Sequence, residues 1–409
     1  MKKTPKLRFK EFSGDWEKTK LKNVTNGFEY GMNAAATEFD GENKYIRITD
    51  IDENSNKYIN TNVVSPLGEL EEKYLVKEND ILFARTGAST GKTYLYDSKD
   101  GKLYFAGFLI RANVNKNNNS KFIFLQTKTR EYDKWVKVMS MRSGQPGINS
   151  QEYASYSFNA PSKEEQEKIA KFFSLIDNKI SLQSEKVEAL KDYKKGLMQK
   201  IFNRELRFKN DEGRDYPECE EKNLEEVADV LSGKRVPKGM SLVEYNTNIP
   251  YITVSDMGNR YVDTRNIRYI TSKIEGYIKK YKVIENDIII SVAGTLGKIN
   301  IIDKKLENAN LTENCDKITN FKNVYYKYIY YYLNTDIIQN KIQAVNTISS
   351  QPKLALNCIR DFSIYIPSYN EQYKIANFLE TIDNKIEKEQ EKLNSLNDYK
   401  KGLLQQMFI

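Results

Sequence analysis

The chain has 409 residues, a mass of 47.6 kDa and 39% hydrophobic residues, which is enough for two or three domains with their own cores. Its 64 basic and 56 acidic residues leave a net charge of +8, a mild excess that permits a polyanionic partner without requiring one. Histidine is absent, which excludes Ser-His-Asp triads and histidine-ligated metals. Three cysteines without CxxC spacing favour a reduced, cytoplasmic protein, and we expect neither a secretory signal nor a membrane span.

The first predicted module covers residues 1–160 and is mostly β-structure with some helix. Short apolar runs bounded by Gly, Asn and Asp predict its strands, at 44–48, 81–84 and 103–110, and a helical stretch follows at 120–140. Arginines lie in or beside the predicted strand ends, at Arg47, Arg85, Arg111 and Arg142. Because arginine can bind guanine through two hydrogen bonds, these positions are candidate DNA contacts. The alternative is that each is a solvated surface charge.

A glycine-rich segment, Gly87-Ala88-Ser89-Thr90-Gly91-Lys92-Thr93, invites comparison with a nucleotide-binding loop. Such a loop needs four residues between its glycines, and only three occur here. A corresponding segment, Gly294-Thr295-Leu296-Gly297-Lys298-Ile299, lacks the hydroxyl that would hold magnesium. Both segments are therefore predicted to be turns between strands that present a lysine, Lys92 or Lys298, to a DNA phosphate.

A long helix is predicted over residues 161–205. Ser162 and Glu165 have the spacing of a capping box, and Pro161 precedes them. Beyond them, apolar residues recur at alternating spacings of four and three, which is typical of a coiled-coil seam. Gln183 and Lys194 interrupt this seam, and Glu389 and Lys400 interrupt its repeat within residues 367–409.

The second half of the chain repeats the first. Residues 161–202 align without a gap on 367–408, with 24 identities in 42 positions, whereas the preceding segments match only weakly. Leu7-Arg8-Phe9-Lys10 recurs as Leu206-Arg207-Phe208-Lys209 at the start of the second copy. The predicted organisation is a tandem duplication: a first module (1–160), a first helix (161–205), a second module (206–366) and a second helix (367–409).

The second module repeats the β-rich pattern, with strands at 249–254 and 287–292 and a helical stretch at 324–345. Its candidate DNA contacts are Lys234, Arg235, Arg260 and Lys298. The loop Ser143-Gly144-Gln145-Pro146 also matches Ser349-Ser350-Gln351-Pro352, although the modules have otherwise diverged. Because glutamine can bind adenine through two hydrogen bonds, Gln145 and Gln351 are candidate base contacts.

The two long helices are predicted to pair with each other as an antiparallel, intramolecular coiled coil. The alternative is that each helix covers only its own module. The residues predicted to pair the helices or dock a partner are Ile169, Phe173, Ile176, Ile180, Leu190, Leu197, Ile375, Leu379, Ile382, Ile386, Leu396 and Leu403. The expected fold class is α+β: two mostly-β recognition domains separated by two long helices, arranged as a pseudo-two-fold tandem repeat.

Enzymatic interpretations lack the residues that they need. A base-flipping methyltransferase requires a loop such as Asn-Pro-Pro or Pro-Cys, and neither occurs in the sequence. A set of carboxylates at nuclease spacing does not recur in the two modules. Two alternatives stay open: a stand-alone DNA-modifying enzyme, and a non-catalytic adaptor whose modules bind a ligand other than DNA.

The whole chain resembles the specificity (S) subunits of type I restriction–modification systems. The helix starts carry this resemblance most strongly, with Pro161-Ser162-x-x-Glu165-Gln166-x-Lys168-Ile169-Ala170 repeated as Pro367-Ser368-x-x-Glu371-Gln372-x-Lys374-Ile375-Ala376. Ile176-Asp177-Asn178-Lys179-Ile180, repeated from Ile382 to Ile386, is similar to the rest of the family helix signature.

The resemblance implies that each module is a target-recognition domain reading one half of a bipartite site in double-stranded DNA. The helices would space these domains and dock methylation (M) subunits, and restriction (R) subunits would complete the complex. S-adenosylmethionine, ATP and magnesium would belong to those partners, so this chain would bind no cofactor and carry no catalytic residue.

Overall fold

The computed structural model describes residues 4–53, 55–141, 146–346 and 352–409. It divides the chain into two compact units, unit 1 (Met1–Ser184 with Glu391–Ile409) and unit 2 (Glu185–Gln390). Each unit holds one module, the first part of the long helix that follows this module and the last part of the other long helix. Within the described residues, no helix is both long enough and apolar enough to cross a membrane.

Unit 1 combines short strands with helices. Its strands are β1 (Glu17–Lys20), β2 (Thr25–Tyr30), β3 (Ala36–Glu38), β4 (Lys44–Ile46), β5 (Val64–Pro66), β6 (Asp80–Ala84), β7 (Thr93–Leu95), β8 (Leu103–Phe105), β9 (Leu109–Val114) and β10 (Ser157–Ala160). Its module helices are α1 (Leu21–Val24), α2 (Ser120–Gln126), α3 (Arg130–Ser140) and α4 (Ser150–Ser155), and the first long helix is α5 (Lys163–Phe202).

The main sheet of unit 1 has the strand order β2-β9-β6-β7, and its neighbouring strands are antiparallel. The central strand β6 is buried on both faces, which explains why it reads as a continuous apolar run. Ile81 and Phe83 pack into a core with α2 and α5, whereas Leu82 and Ala84 pack against β4 and β8. The glycine-rich segment joins β6 to β7 as predicted.

Unit 2 repeats this plan. Its strands are β11 (Glu220–Asn223), β12 (Asp229–Ser232), β13 (Pro250–Ile252), β14 (Arg268–Tyr269), β15 (Ile288–Ser291), β16 (Ile299–Ile301), β17 (Asn310–Leu311), β18 (Cys315–Thr319) and β19 (Ser363–Ile366). Its helices are α6 (Leu224–Val227), α7 (Ser272–Ile278), α8 (Tyr326–Leu333), α9 (Asp336–Asn346) and α10 (Leu356–Arg360), and the second long helix is α11 (Tyr369–Met407).

The order β12-β18-β15-β16 in unit 2 matches the main sheet of unit 1. The parallel pair β13 and β17 corresponds to β4 and β8, and β11 with β19 corresponds to β1 with β10. The α+β fold and the tandem repeat predicted from the sequence are thus confirmed.

Each predicted module helix is in fact two helices. The stretch 120–140 is interrupted after Gln126, where the Thr129 hydroxyl accepts a hydrogen bond from the Tyr132 amide and starts α3. The stretch 324–345 is likewise divided into two helices, α8 and α9. The tyrosine-rich α8 is largely buried, as expected of a core helix.

The start of each long helix holds the segment that begins the module of the same unit. In unit 1, Arg8 donates to the Glu165 carboxylate at 2.8 and 2.7 Å, and Phe9 packs edge-on against Phe172. In unit 2, Arg207 binds Glu371 at 3.2 and 2.8 Å in the same manner. The serine cap predicted for the first helix is present, since the Glu165 amide donates to the Ser162 hydroxyl at 3.5 Å. The cap predicted for the second helix is wrong, because the buried Ser368 hydroxyl has no hydrogen-bond partner. In both helices the glutamate binds an arginine.

The long helices run antiparallel where they meet within each unit. In unit 2, Lys186 pairs with Glu389 at 2.6 Å and Lys194 pairs with Asp383 at 2.6 Å. In unit 1, Lys400 pairs with Asp177 at 2.7 Å. The two lysines that interrupt the predicted seam, Lys194 and Lys400, thus form equivalent interhelical ion pairs.

The residues predicted to pair the helices differ in burial. Ile169, Phe173, Ile375, Leu379, Ile382 and Leu403 are buried, whereas Ile176, Ile180, Leu190, Leu197, Ile386 and Leu396 are partly exposed. Ile169 and Phe173 share one core with Trp16 and Phe122 of the module and with Leu403 of the other helix. Each helix end therefore packs both on a module and on the other helix.

Candidate nucleic-acid interface

Three segments of unit 1 that are distant in sequence meet at the end of β6. The Gly87 amide donates to the Pro146 carbonyl at 3.1 Å, and the Ile148 amide donates to the Arg85 carbonyl at 2.9 Å. The Arg85 amide donates to the Phe108 carbonyl at 3.0 Å. We call the surface formed by 85–91, 106–108 and 146–149 turn surface 1.

Unit 2 assembles the same surface from the corresponding residues. The Leu354 amide donates to the Val292 carbonyl at 2.9 Å, and the Val292 amide donates to the Asn314 carbonyl at 2.8 Å. Ala293 and Lys353 form an isolated antiparallel β-bridge. We call the surface formed by 292–297, 312–314 and 352–354 turn surface 2. In both units, therefore, the glycine-rich turn lies beside the end of the Gln-Pro loop, two features that the sequence presents far apart.

The loop residues themselves, Arg142, Gln145 and Gln351, lie outside the described residues. Arg85 lies on turn surface 1, where its guanidinium is 5.0 Å from the centre of the Tyr30 ring. Phe108 is exposed beside it, and Lys353 is exposed on turn surface 2, at the place of Gly147 in unit 1. Sequence reasoning missed Phe108 and Lys353. Lys353 directly follows Pro352, so the repeated Gln-Pro pair was a signal that could have found it.

The ammonium groups of both lysines in the glycine-rich turns bind backbone carbonyls, although Lys298 is an exposed residue. Lys92 Nζ donates to the Ile51 carbonyl at 3.2 Å and lies 3.4 Å from a Glu53 carboxylate oxygen, and its side chain is 13% exposed. Lys298 Nζ donates to the Met257 carbonyl at 2.8 Å, the equivalent position of unit 2. These contacts favour a structural role in both turns over the predicted phosphate contact, because the ammonium would have to leave a carbonyl to reach DNA.

Arg111 is also held internally. It donates to the Leu75 carbonyl at 2.7 Å, pairs with Glu29 and lies 3.7 Å from Asp80, with a side chain 12% exposed. Burial raises the pKa of Asp80, although Arg111 and the Lys77 amide oppose this shift. In unit 2, Lys317 binds the Lys282 carbonyl at 2.6 Å and lies 3.7 Å from Asp287. Burial raises the pKa of Asp287 too.

The other cationic residues predicted to contact DNA differ in their partners and in their exposure to solvent. Arg47 binds Asp50 of the following turn at 2.8 and 2.9 Å, and Lys234 lies 5.9 Å from the Tyr281 ring centre. Arg235 pairs with Glu313 but stays largely exposed. Arg260 donates to Asn384 of α11 at 2.9 Å and lies 3.3 Å from Glu387, with only 11% of its side chain exposed. Arg260 therefore ties its module to the long helix.

Comparison with known proteins agrees with this architecture. Residues 13–192 and 217–398 each match the model of the type I restriction modification DNA specificity domain. The MjaVIII type I restriction enzyme specificity subunit of Methanocaldococcus jannaschii is 24% identical over 416 residues, which cover 97% of this chain and 94% of that protein.

Solved structures share the fold. The type I restriction–modification S subunit of M. genitalium superimposes with a TM-score of 0.59 at 17% identity, covering 99% of both chains. A chain from a structure describing complex assembly of a type I R-M system gives a TM-score of 0.58 at 15% identity, covering 95% of this chain and 96% of that one. With two copies of the specificity domain spanning most of its length, the chain belongs to the type I restriction–modification DNA specificity family.

Proposed function

We propose that this chain is the DNA-specificity subunit of a type I restriction–modification complex and that turn surfaces 1 and 2 each read one half of a bipartite target in double-stranded DNA. One observation carries the proposal: the two units share their strand order and the backbone hydrogen bonds of their turns, whereas the side chains of their turn surfaces differ. Turn surface 1 has the partly exposed Arg85 and the exposed Phe108, whereas the corresponding residues of unit 2 are the buried Val292 and the partly exposed Asn314.

Such a difference suits the reading of two different half-sites. Contacts to phosphates position a protein on DNA, and contacts to base edges discriminate at about 1–3 kcal/mol for each good pair of hydrogen bonds. Arg85 is the leading candidate of turn surface 1, and Lys353 and Asn314 are those of turn surface 2. We retain Arg142, Gln145 and Gln351 as predicted base contacts, since they flank these surfaces in the sequence.

The chain would work by binding alone. Methylation subunits would carry S-adenosylmethionine and transfer the methyl group, and restriction subunits would carry ATP and magnesium. The proposed location is the cytoplasm, where the DNA and these partners meet. This chain's part is to place the methylation subunits over the adenines of one target sequence.

The test is the exchange of one module. A chain in which residues 1–160 are replaced by the corresponding module of a relative is expressed with the methylation subunit of its own system, and methylated adenines are mapped by sequencing. We expect one half of the methylated motif to change and the other half to stay. A change in both halves would contradict the assignment of one half-site to each unit.

The reciprocal exchange of residues 206–366 is the matched control and should alter the opposite half. Purified wild-type chain tested with S-adenosylmethionine and DNA separates the alternatives. Methylation by the chain alone would identify a stand-alone enzyme. DNA affinity that does not fall with rising salt, or no DNA affinity at all in the assembled complex, would favour an adaptor for another ligand.

A further inference from the structure

Unit 1 gathers the ammonium groups of three lysines around one carboxylate. Lys121 of α2 and Lys400 of α11 both bind Asp177 of α5, at 2.5 and 2.7 Å. The ammonium groups of Lys121 and Lys128 lie 5.5 and 4.4 Å from the centre of the Phe124 ring, so they flank the same side chain. Among the described residues, Asp177 is the only carboxylate that forms an ion pair with any of the three lysines.

Lys128 forms no ion pair within the described part of the chain. Its ammonium donates to the Thr93 hydroxyl instead. Burial lowers the pKa of Lys128 well below its usual value, Lys400 and Lys121 lower it further, and Asp133 opposes this shift. Burial raises the pKa of Asp133, although Lys128, Lys137 and Lys401 favour its charged form. Asp133 therefore lies among several lysines, and it does not neutralise Lys128 alone.

The same place in unit 2 has balanced charges. The amide before α2 donates to Gln166 and the amide before α8 donates to Gln372, so the two helices correspond residue by residue. The counterparts of Lys121 and Lys400 each bind a carboxylate of their own. Lys327 binds Glu380 at 2.6 and 2.8 Å, and Lys194 binds Asp383 at 2.6 Å.

Two positions account for the difference between the units. Asn334 stands in unit 2 where unit 1 has Lys128, and Ser174 stands in unit 1 where unit 2 has Glu380. Asn334 is neutral and donates to the Tyr330 carbonyl at 2.8 Å. Unit 1 therefore carries one cation more and one carboxylate fewer than unit 2 at the same place in the fold.

We propose that the lysine cluster of unit 1, formed by Lys121, Lys128 and Lys400, binds a phosphate group. A phosphate carries up to two negative charges and several strong acceptor oxygens, which suits three ammonium groups that share one carboxylate. The site is open to solvent, because the side chains of Lys121 and Lys400 are 26% and 27% exposed. Two sources supply this chemistry: free phosphate and the backbone of DNA. The inference goes beyond the reading of bases by the turn surfaces.

Thermal melting of the full chain measures the binding of free phosphate. Wild type and Lys128→Asn, which introduces the residue of unit 2, are melted in about 50 mM sodium phosphate and in sodium chloride of equal ionic strength. If Kd is about 5 mM, phosphate should raise the Tm of wild type by about 4 °C more than that of Lys128→Asn. Phosphate also stabilises proteins non-specifically, so the difference between the variants is the quantity of interest.

Ser174→Glu tests the charge balance without removing a lysine. It introduces the carboxylate that unit 2 carries in Glu380, so it should neutralise Lys121 and lower the phosphate-dependent rise in Tm as Lys128→Asn does. Lys327→Gln is the matched control, because it removes a lysine from the corresponding place in unit 2. It should keep the full rise in Tm. A full rise in both Lys128→Asn and Ser174→Glu would show that free phosphate does not bind at the lysine cluster.

The salt dependence of DNA binding tests the second source, and this measurement alone rests on the proposed function. If the cluster binds a DNA phosphate, Lys128→Asn should weaken binding of the assembled complex to all sequences and reduce the slope of log affinity against log salt by about 1. If Lys128→Asn changes neither the phosphate response nor this slope, the inference is wrong and the proposed function stands. If the wild-type complex does not bind DNA, the proposed function fails and the melting experiment alone decides the inference.

Discussion

The two units keep the same buried framework while their turn surfaces differ. Both main sheets have the same strand order. In each unit, a cationic side chain of the sheet binds a backbone carbonyl at the equivalent position, and a buried aspartate lies beside this cation. Gly31 and Gly233 occupy equivalent places where a Cβ atom would lie 2.2 and 2.0 Å from a carbonyl oxygen, so neither position has room for a side chain.

The units differ both at their turn surfaces and inside, where Tyr94 corresponds to Asn300 and Leu109 to Cys315. Arg85 and Tyr30 of unit 1 give way to Val292 and Ser232 in unit 2, at the edge of the turn surfaces. In the sheet, Phe83 pairs with Ile110 in unit 1, whereas Ile290 pairs with Asp316 in unit 2. The strand order is therefore kept in both units although side chains change at the turns and in the core. The following predictions test that conclusion.

Removing an arginine that holds a helix start should have the largest effect on stability. Arg8→Ala leaves the Glu165 carboxylate, only 2% exposed, without its cation. We expect a loss of about 3 kcal/mol in the free energy of unfolding, measured in urea. Arg207→Ala should cost a similar amount, since Glu371 is equally buried.

Lys168→Ala is the control for this pair of variants. Its ion pair with Glu11 is about half exposed and should contribute less than about 0.5 kcal/mol. Clearly unequal losses for Arg8→Ala and Arg207→Ala would break the equivalence of the two units.

The interhelical ion pairs should contribute about 2 kcal/mol each. Burial opposes ionisation of Asp177, but Lys121 and Lys400 outweigh it and lower the pKa of this carboxyl. The stabilisation is present above the unfolded-state pKa of about 4 and is lost as pH falls through the lower folded-state value. Asp177→Asn should therefore be less stable than wild type at pH 7, and the difference should shrink towards pH 3.

Urea unfolding at pH 7 and pH 3 measures this effect. Asp192→Asn, an exposed change on the same helix, should leave the stability unchanged at both values. At pH 7, Asp383→Asn should also lower the stability, because Asp383 binds Lys194 from the other helix at 2.6 Å. A pH-independent loss would show that packing, rather than charge, makes the contribution.

The buried carboxyl of Asp316 predicts a pH dependence of stability with the opposite sign. Burial raises the pKa of Asp316 to about 6, although Ser232 and nearby cations oppose this shift. Because the folded-state pKa lies above the unfolded one, wild type loses stability as pH rises from about 4 to above 6. Asp316→Asn removes that loss, so we expect it to gain about 1 kcal/mol over wild type between pH 4.5 and pH 7.5.

Thermal melting across this range tests the prediction, with the exposed change Asp361→Asn as the control. Asp361→Asn should show no such trend. If Asp316→Asn and wild type show the same change in stability at every pH, burial of this carboxyl does not lower the stability. The replacement of Ile110 by Asp316 would then matter only for the shape of the side chain.

The smallest expected effect concerns a single DNA contact. Arg85→Ala should weaken binding of the assembled complex to DNA by about tenfold and reduce the slope of log affinity against log salt by about 1, if Arg85 contacts a phosphate. Lys92→Ala is the matched control from the same turn. It should lower stability and leave the salt slope unchanged, because its ammonium binds the Ile51 carbonyl. An unchanged slope for Arg85→Ala would remove Arg85 from the phosphate contacts.

The duplication, the two long helices and some strands of the sheets were readable from the sequence alone. These features depend on patterns between near neighbours, such as the heptad spacing from Ile169 to Ile201 or the apolar run from Ile81 to Ala84, and local patterns are readable in a single chain. The glycine-rich turn between β6 and β7 was readable for the same reason. The specificity-subunit family was also recognisable from the repeated helix starts.

The partners of the charged side chains became known only from the tertiary structure. Glu165 binds Arg8, which lies 157 residues away, and Arg260 binds Asn384, which lies 124 residues away. The sequence shows which helix, strand or loop carries a cationic side chain. The oxygens that bind its charged group come from segments that are remote in the sequence. For the same reason, the meeting of the glycine-rich turns with the Gln-Pro loops and the division of each long helix between two units became visible only in the folded chain.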